Sequence, residues 1–191
     1  MADTMRAVVY HGKNDIRLDE VPIPKAGYGE AIVKVTMTTI CGTDVHIVRN
    51  EYPVAEGRII GHEPVGIIHE LGPGIVGYKK GDRVLVGAVT PCGTCFYCQN
   101  DIWAQCAGYE NEWKMIGGWR LGNSMDGVMA DYFKVPYAQA NMAKIPDELA
   151  DEDAVLCADI ASTGISGAES ANIKIGDVVV VYAQGPIGLC A

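Results

Sequence analysis

The chain has 191 residues, an apolar share of 49% and a formal net charge of −9. So acidic a polypeptide, with no basic run, lacks the positive surface that displaces counterions from nucleic acid, and no nucleic-acid partner is expected. Its length suits about one ordinary domain with a real core.

The opening segment, MADTMRAVVYHG, lacks the apolar core and cleavage site of a secretory leader. The most apolar run, VVVVYAQGPIGLCA, is short and broken by Gln184, Gly185 and Pro186, so it is no membrane span. A soluble, cytoplasmic protein without a membrane partner is expected. Through the first ~150 residues, RAVVY, IRLDEV, EAIVKVTMTTI, PVGIIHEL and DRVLVGAV carry the β-branched residues of strands. Turn residues separate them, in HGKND, PIPKAGYGE and GPGIVGYKKGD. The pattern predicts a mostly antiparallel β domain. Then PDELADEDAVLCADIASTGISGAESAN, acidic at its start and Ala-rich, predicts one or two helices broken near Ser162-Thr163-Gly164. The valine run in IKIGDVVVVYAQGPIG predicts a strand buried on both faces, followed by a glycine turn.

Seven cysteines are an odd number for a closed disulfide framework. Four of them, Cys92, Cys95, Cys98 and Cys106, follow C-x2-C-x2-C-x7-C. Two-residue gaps let successive thiolates converge on one tetrahedral zinc with no open position, a structural site. A redox C-x-x-C pair is the competing use of such spacing. Cys41, in TTICGTDVH, and His62, in IIGHEP, lie 21 residues apart. Each alone could be an ordinary core side chain. Together, with glycines beside both, they suit an open zinc site whose third ligand comes from farther along the chain.

The segment Gly61-His62-Glu63-x2-Gly66-x5-Gly72 resembles the signature of the zinc-containing medium-chain alcohol dehydrogenases, closest to their secondary-alcohol branch. Cys41-Gly42-Thr43-Asp44-x-His46 before it, and the four-cysteine lobe after it, match the same family along essentially the whole chain. The resemblance implies a GroES-like catalytic domain over 1–158, with the structural zinc lobe at 91–107. It implies that 159–191 forms a connecting helix and the first strand and turn of a Rossmann-type cofactor domain. It also implies two zinc ions per chain, the catalytic one on Cys41, His62 and Asp159, with Cys157 as the rival to Asp159. Asp44 would orient His62, and Glu63 would stand behind the metal. Thr43 would contact the reacting oxygen, and the proton would pass through the cofactor ribose to His46. Ala88 and Trp119 would shape the substrate pocket.

Thr163, Gly185, Pro186 and Gly188 would contact NAD or NADP, with Ala183 standing where the dinucleotide fingerprint has its first glycine. The implied reaction is reversible oxidation of an alcohol, foremost a secondary one, to a ketone or aldehyde. A polyol, amino-alcohol or aldehyde substrate, or a non-catalytic zinc-stabilised β module, is the alternative. The family forms dimers and tetramers, so a homo-oligomer is implied. The acidic residue that binds the cofactor ribose lies ~20 residues beyond the glycine turn. Without the remainder of a cofactor domain, these 191 residues alone are expected to be inactive.

Overall fold

The computed structural model describes residues 3–108 and 117–191. The β-branched runs form strands β1 (Thr4–Gly12), β2 (Asp15–Pro22), β3 (Ala31–Thr38), β4 (Arg58–Ile59), β5 (Pro64–Leu71), β6 (Arg83–Val86), β7 (Tyr132–Val135) and β8 (Met142–Lys144). Short helices join them: α1 (Gly42–Val48), α2 (Phe96–Gln99), α3 (Ala138–Asn141), α4 (Asp151–Ala154), α5 (Ile160–Ser170) and α6 (Pro186–Cys190). The strands pair in two sheets, ordered β2-β1-β4 and β7-β3-β5-β6-β8. Every pairing between named strands is antiparallel, as the alternation predicts. β1 shows why: Met5, Ala7 and Val9 point inward while Thr4 and Arg6 face solvent. The larger sheet is held by Val33, Ile68, Val84, Val128, Phe133 and Val135, all essentially inaccessible to water. Each such side chain contributes about 1.5–3 kcal/mol on burial. No helix among the described residues is long and apolar enough to cross a membrane.

The β3–β5 register positions the site. Thr38, the last residue of β3, pairs with Pro64, the first of β5. The chain leaving β3 therefore passes beside the chain entering β5, which brings Cys41 next to His62 and Glu63. Gly66 permits that closeness, because a Cβ there would lie 2.2 Å from the Lys34 carbonyl oxygen on β3. Gly61 is required twice over. Its φ of +92° is left-handed, and a Cβ would meet Met129 Cγ at 2.6 Å. β6 runs beside β5, and just beyond it the Ala88 amide donates to the Ala158 carbonyl at 2.9 Å. That bond delivers Asp159 to the same end of the sheet.

Two expectations need correction. The helical region breaks at Asp159, where φ is −146° and ψ is −66°, and Ser162-Thr163-Gly164 lie inside α5. Thr163 stays helical because its amide donates to the Asp159 carbonyl at 2.7 Å. The valine run is not a strand. Val178 is 94% exposed, Val180 69%, and no strand lies beside them among the described residues. Strand propensity is local, but a strand's hydrogen bonds and buried faces need neighbours.

Candidate metal centres

The lobe after β6 assembles the four cysteines in local steps. Cys95 caps α2, and Cys98 lies three residues on, so one helical turn places both sulfurs on one side. A 3-10 turn, Trp103–Gln105, then returns Cys106. Zinc–thiolate bonds of about 2.3 Å at tetrahedral angles put sulfurs about 3.8 Å apart. The observed separations are 3.9 Å for Cys92–Cys98, 3.5 Å for Cys95–Cys98 and 3.9 Å for Cys95–Cys106. All four thiols are free of disulfides. Backbone amides aim at the sulfurs, with Cys92 N–H donating to Cys106 at 3.1 Å and Cys95 N–H to Cys92 at 3.3 Å. Desolvation opposes ionisation at Cys95, Cys98 and Cys106. At Cys95 the hydrogen bonds from Cys98 and Ala107 outweigh it and lower the thiol to about 6. At Cys98 burial, reinforced by the neighbouring thiols, pushes it up to about 12. Four such sulfurs cannot all ionise unless a cation offsets their repulsion, so the donor set fits a bound metal.

The second centre is built from strand ends. Cys41, His62, Glu63 and Asp159 bring one donor atom each within 4.8 Å of one another. His62 and Glu63 are both 4% exposed, so neither is a solvated surface group. His62 turns Nε2 toward Asp159 Oδ2, at 4.0 Å, and Nδ1 toward Asp44 Oδ1, at 3.8 Å. The second distance is longer than a hydrogen bond. The expected orienting contact from Asp44 is thus a facing pair with both atoms unpartnered. Asp44 is fixed instead by the Cys41 amide, which donates to its Oδ2 at 2.8 Å. Burial, only partly offset by that bond, holds the Asp44 carboxyl above the usual range. Burial first, and the adjacent Cys41 sulfur second, push Glu63 up to about 7. Its Oε1 has no hydrogen-bond partner among the described residues. Buried, orphaned carboxylate and imidazole atoms are costly by themselves. A divalent cation among them would remove that cost, and a thiolate, an imidazole and a carboxylate are the ligand types zinc takes.

The Thr43 hydroxyl lies 3.6 Å from Cys41 Sγ. His46 bonds Glu51 through Nδ1, and its ring meets Tyr52 edge-on at 5.6 Å. A cleft of about 820 Å3 joins these groups, lined by Cys41, Thr43, His46, Tyr52 and Glu63. Gly185, Pro186 and Gly188 line the same cleft. The glycine turn holds Ala183 at a φ of +64°, and a Cβ at Gly188 would lie 2.4 Å from the Ala183 carbonyl oxygen. Thr163 does not line this cleft, and its hydroxyl donates to Asp159 Oδ1 at 2.6 Å. Trp119 and Ala88 are not among its walls either. The indole instead packs edge-on against His62, with ring centres 5.7 Å apart. Ala88 is buried beside Ala158. Cys157 is exposed and stands outside the cluster of donors. Tyr52 escaped the sequence reading because a lone aromatic in a loop carries no pattern.

A family model described as "Alcohol dehydrogenase GroES-like domain" matches residues 27–147. An alcohol dehydrogenase of Cupriavidus necator is 49% identical over 203 residues, which span 100% of this chain and 54% of that protein. An NADP-dependent isopropanol dehydrogenase of Entamoeba histolytica is 37% identical across 97% of this chain and 50% of its own length. Among solved structures, the apo form of zinc-dependent alcohol dehydrogenase 2 from Streptococcus pneumonia superposes with a TM-score of 0.86 at 36% identity. That match covers 97% of this chain and 51% of the solved one. The chain therefore spans about half the length of the curated relatives it matches.

Proposed function

The chain belongs to the zinc-type alcohol dehydrogenase family, and from that premise we propose that it supplies the catalytic-zinc part of an enzyme interconverting a secondary alcohol and its ketone, with NAD or NADP as hydride partner. One observation carries the reading. The donors Cys41 and Glu63 and the glycine turn at Gly185-Pro186-x-Gly188 line a single cleft. A substrate oxygen at the donors and a dinucleotide at the turn would meet there.

Cys41, His62 and Asp159 would hold the catalytic zinc, and Cys92, Cys95, Cys98 and Cys106 the structural one. Bound at the first centre, zinc would supply Lewis-acid stabilisation of negative charge developing on a substrate oxygen. Two anionic ligands and a neutral imidazole would balance the charge of a divalent cation held there. Glu63 adds a carboxylate within reach of the same point. Thr43 places a hydroxyl on the cleft wall where it can take a hydrogen bond from the substrate hydroxyl. His46, half exposed and bonded to Glu51, can pass the proton on to water, since imidazole is the side chain suited to exchange near neutral pH. The secondary-alcohol preference is supported by Asp159 as third ligand and by the isopropanol enzyme among the relatives. We assign residues 1–158 to the catalytic domain and 159–191 to the entry of the cofactor domain.

Metal analysis tests the assignment. The purified chain should carry two zinc ions. Cys41→Ser or His62→Ala should lose one and keep the other, and Cys95→Ser should do the reverse. A single zinc that survives both Cys41→Ser and His62→Ala would overturn the catalytic reading. In a polypeptide with a complete dinucleotide-binding half, reduction of NAD or NADP by 2-propanol is the matching activity. A preference for primary alcohols would refute the substrate class.

A further inference from the structure

Among the described residues, one charged donor reaches a sulfur of the lobe. Arg120 Nη2 lies 3.4 Å from Cys106 Sγ. The same guanidinium is anchored elsewhere, donating through Nη1 to the Thr90 carbonyl at 2.6 Å. Its planar group also sits 5.5 Å from the centre of the Tyr137 ring. Three contacts of different kinds fix its direction, which a rigid fork can satisfy at once and a lysine cannot. Cys106 is 1% exposed, and its other donors are the neutral backbone amides of Cys92 and Gly108. A divalent cation with four thiolates is a buried centre of net charge −2, and Arg120 is the cation placed against it.

We propose that Arg120 is the positioning residue of the four-cysteine centre, holding the Cys106 thiolate in place and retaining the metal there by an anchored, charged N–H···S bond. The proposal rests on the zinc reading of that lobe and is independent of the alcohol chemistry. Partners of this kind that orient a ligand typically change metal affinity about 10- to 100-fold when removed.

The test uses the zinc-loaded chain in a Cys41→Ser background, so that the lobe holds the only thiolate ligands to metal. Release of zinc to an excess of a coloured chelator is followed by stopped flow. Arg120→Met is expected to release zinc at least about tenfold faster, with Arg120→Lys between it and the parent. With cobalt(II) in the lobe, the thiolate-to-metal charge-transfer band should move to longer wavelength in Arg120→Met, because the sulfur lone pair loses a donor. Trp119→Phe, which leaves the guanidinium in place, should not move it. Unchanged release and an unchanged band in Arg120→Met would overturn the proposal. Should Arg120→Met fail to fold, Arg120→Lys decides: release at the parental rate overturns it, and faster release supports it. A parent that binds no metal at the lobe refutes the zinc reading itself, a distinct outcome.

Discussion

Asp159 is oriented by its own helix. Ser162 Oγ donates to its carbonyl at 2.8 Å, and Thr163 Oγ1 to its carboxylate Oδ1 at 2.6 Å. The bond to Oδ1 leaves Oδ2 free to face His62 Nε2. A carboxylate pinned at one oxygen presents the other with little rotational freedom, which lowers the entropy a metal must overcome on binding. Thr163→Val keeps the shape and removes the donor. It should weaken zinc at the Cys41–His62–Asp159 centre by about 10- to 100-fold, read by competition with a fluorescent chelator, and leave the four-cysteine lobe unchanged. Thr163→Ser should restore most of the affinity. Equal affinity in the valine variant would show that the backbone alone orients Asp159.

At the scale of elements, the end of the larger sheet is tied to the helix that precedes Asp159. Arg83 on β6 donates to Asp151 Oδ1 at 2.5 Å, and Thr36 on β3 donates to its Oδ2 at 2.5 Å. Arg83 also reaches the Leu149 carbonyl at 2.8 Å, so the start of α4 is fixed across two strands. The Arg83 guanidinium first, then the Thr36 hydroxyl, hold the Asp151 carboxyl below the usual range. A lowered carboxyl pKa stabilises the fold above the unfolded value of about 4, and that contribution disappears as pH falls through the folded one. The pair is partly exposed, so about 1 kcal/mol is its expected worth. Asp151→Asn should therefore cost about that much against wild type in urea at pH 7, and the difference should shrink as pH falls below about 4. A cost that persists unchanged in acid would assign the effect to packing. Much of this architecture was legible beforehand. Alternation in RAVVY and PVGIIHEL marked strands, and the four cysteines lie close enough in sequence for spacing alone to imply convergence. The pairing of Thr38 with Pro64 was not legible, because no local feature says which strands meet. Cys41 and His62 were paired from their residue types and flanking glycines, whereas Asp159 as their third partner was expected only from family resemblance. Single polar anchors such as Arg120 and Thr163's bond to Asp159 have no period and no motif, and only the folded chain displays them.

Across the whole molecule, the residues up to Ala158 pack around buried strands, whereas the segment after α5 turns an apolar face to water. Val178, Val180 and Tyr182 are 94%, 69% and 88% exposed, beside exposed Ile175 and Leu189. Gly164 lets α5 approach α6, since a Cβ there would lie 2.8 Å from the Cys190 carbonyl carbon, but nothing among the described residues covers the valines. Extended, unpaired and apolar backbone is a template for pairing with another chain. The same valines contribute no burial to this fold, so their chemistry should govern association rather than stability. Val178→Asp combined with Val180→Asp should change the unfolding free energy of the 191-residue chain by no more than about 0.5 kcal/mol. It should also abolish concentration-dependent self-association in sedimentation velocity. A large loss of stability would mean that the segment packs on the β domain in solution. Undiminished association would place the contact on another surface. If both expectations hold, the valine run is an exposed association surface, and the two metal centres belong to a body that folds without it.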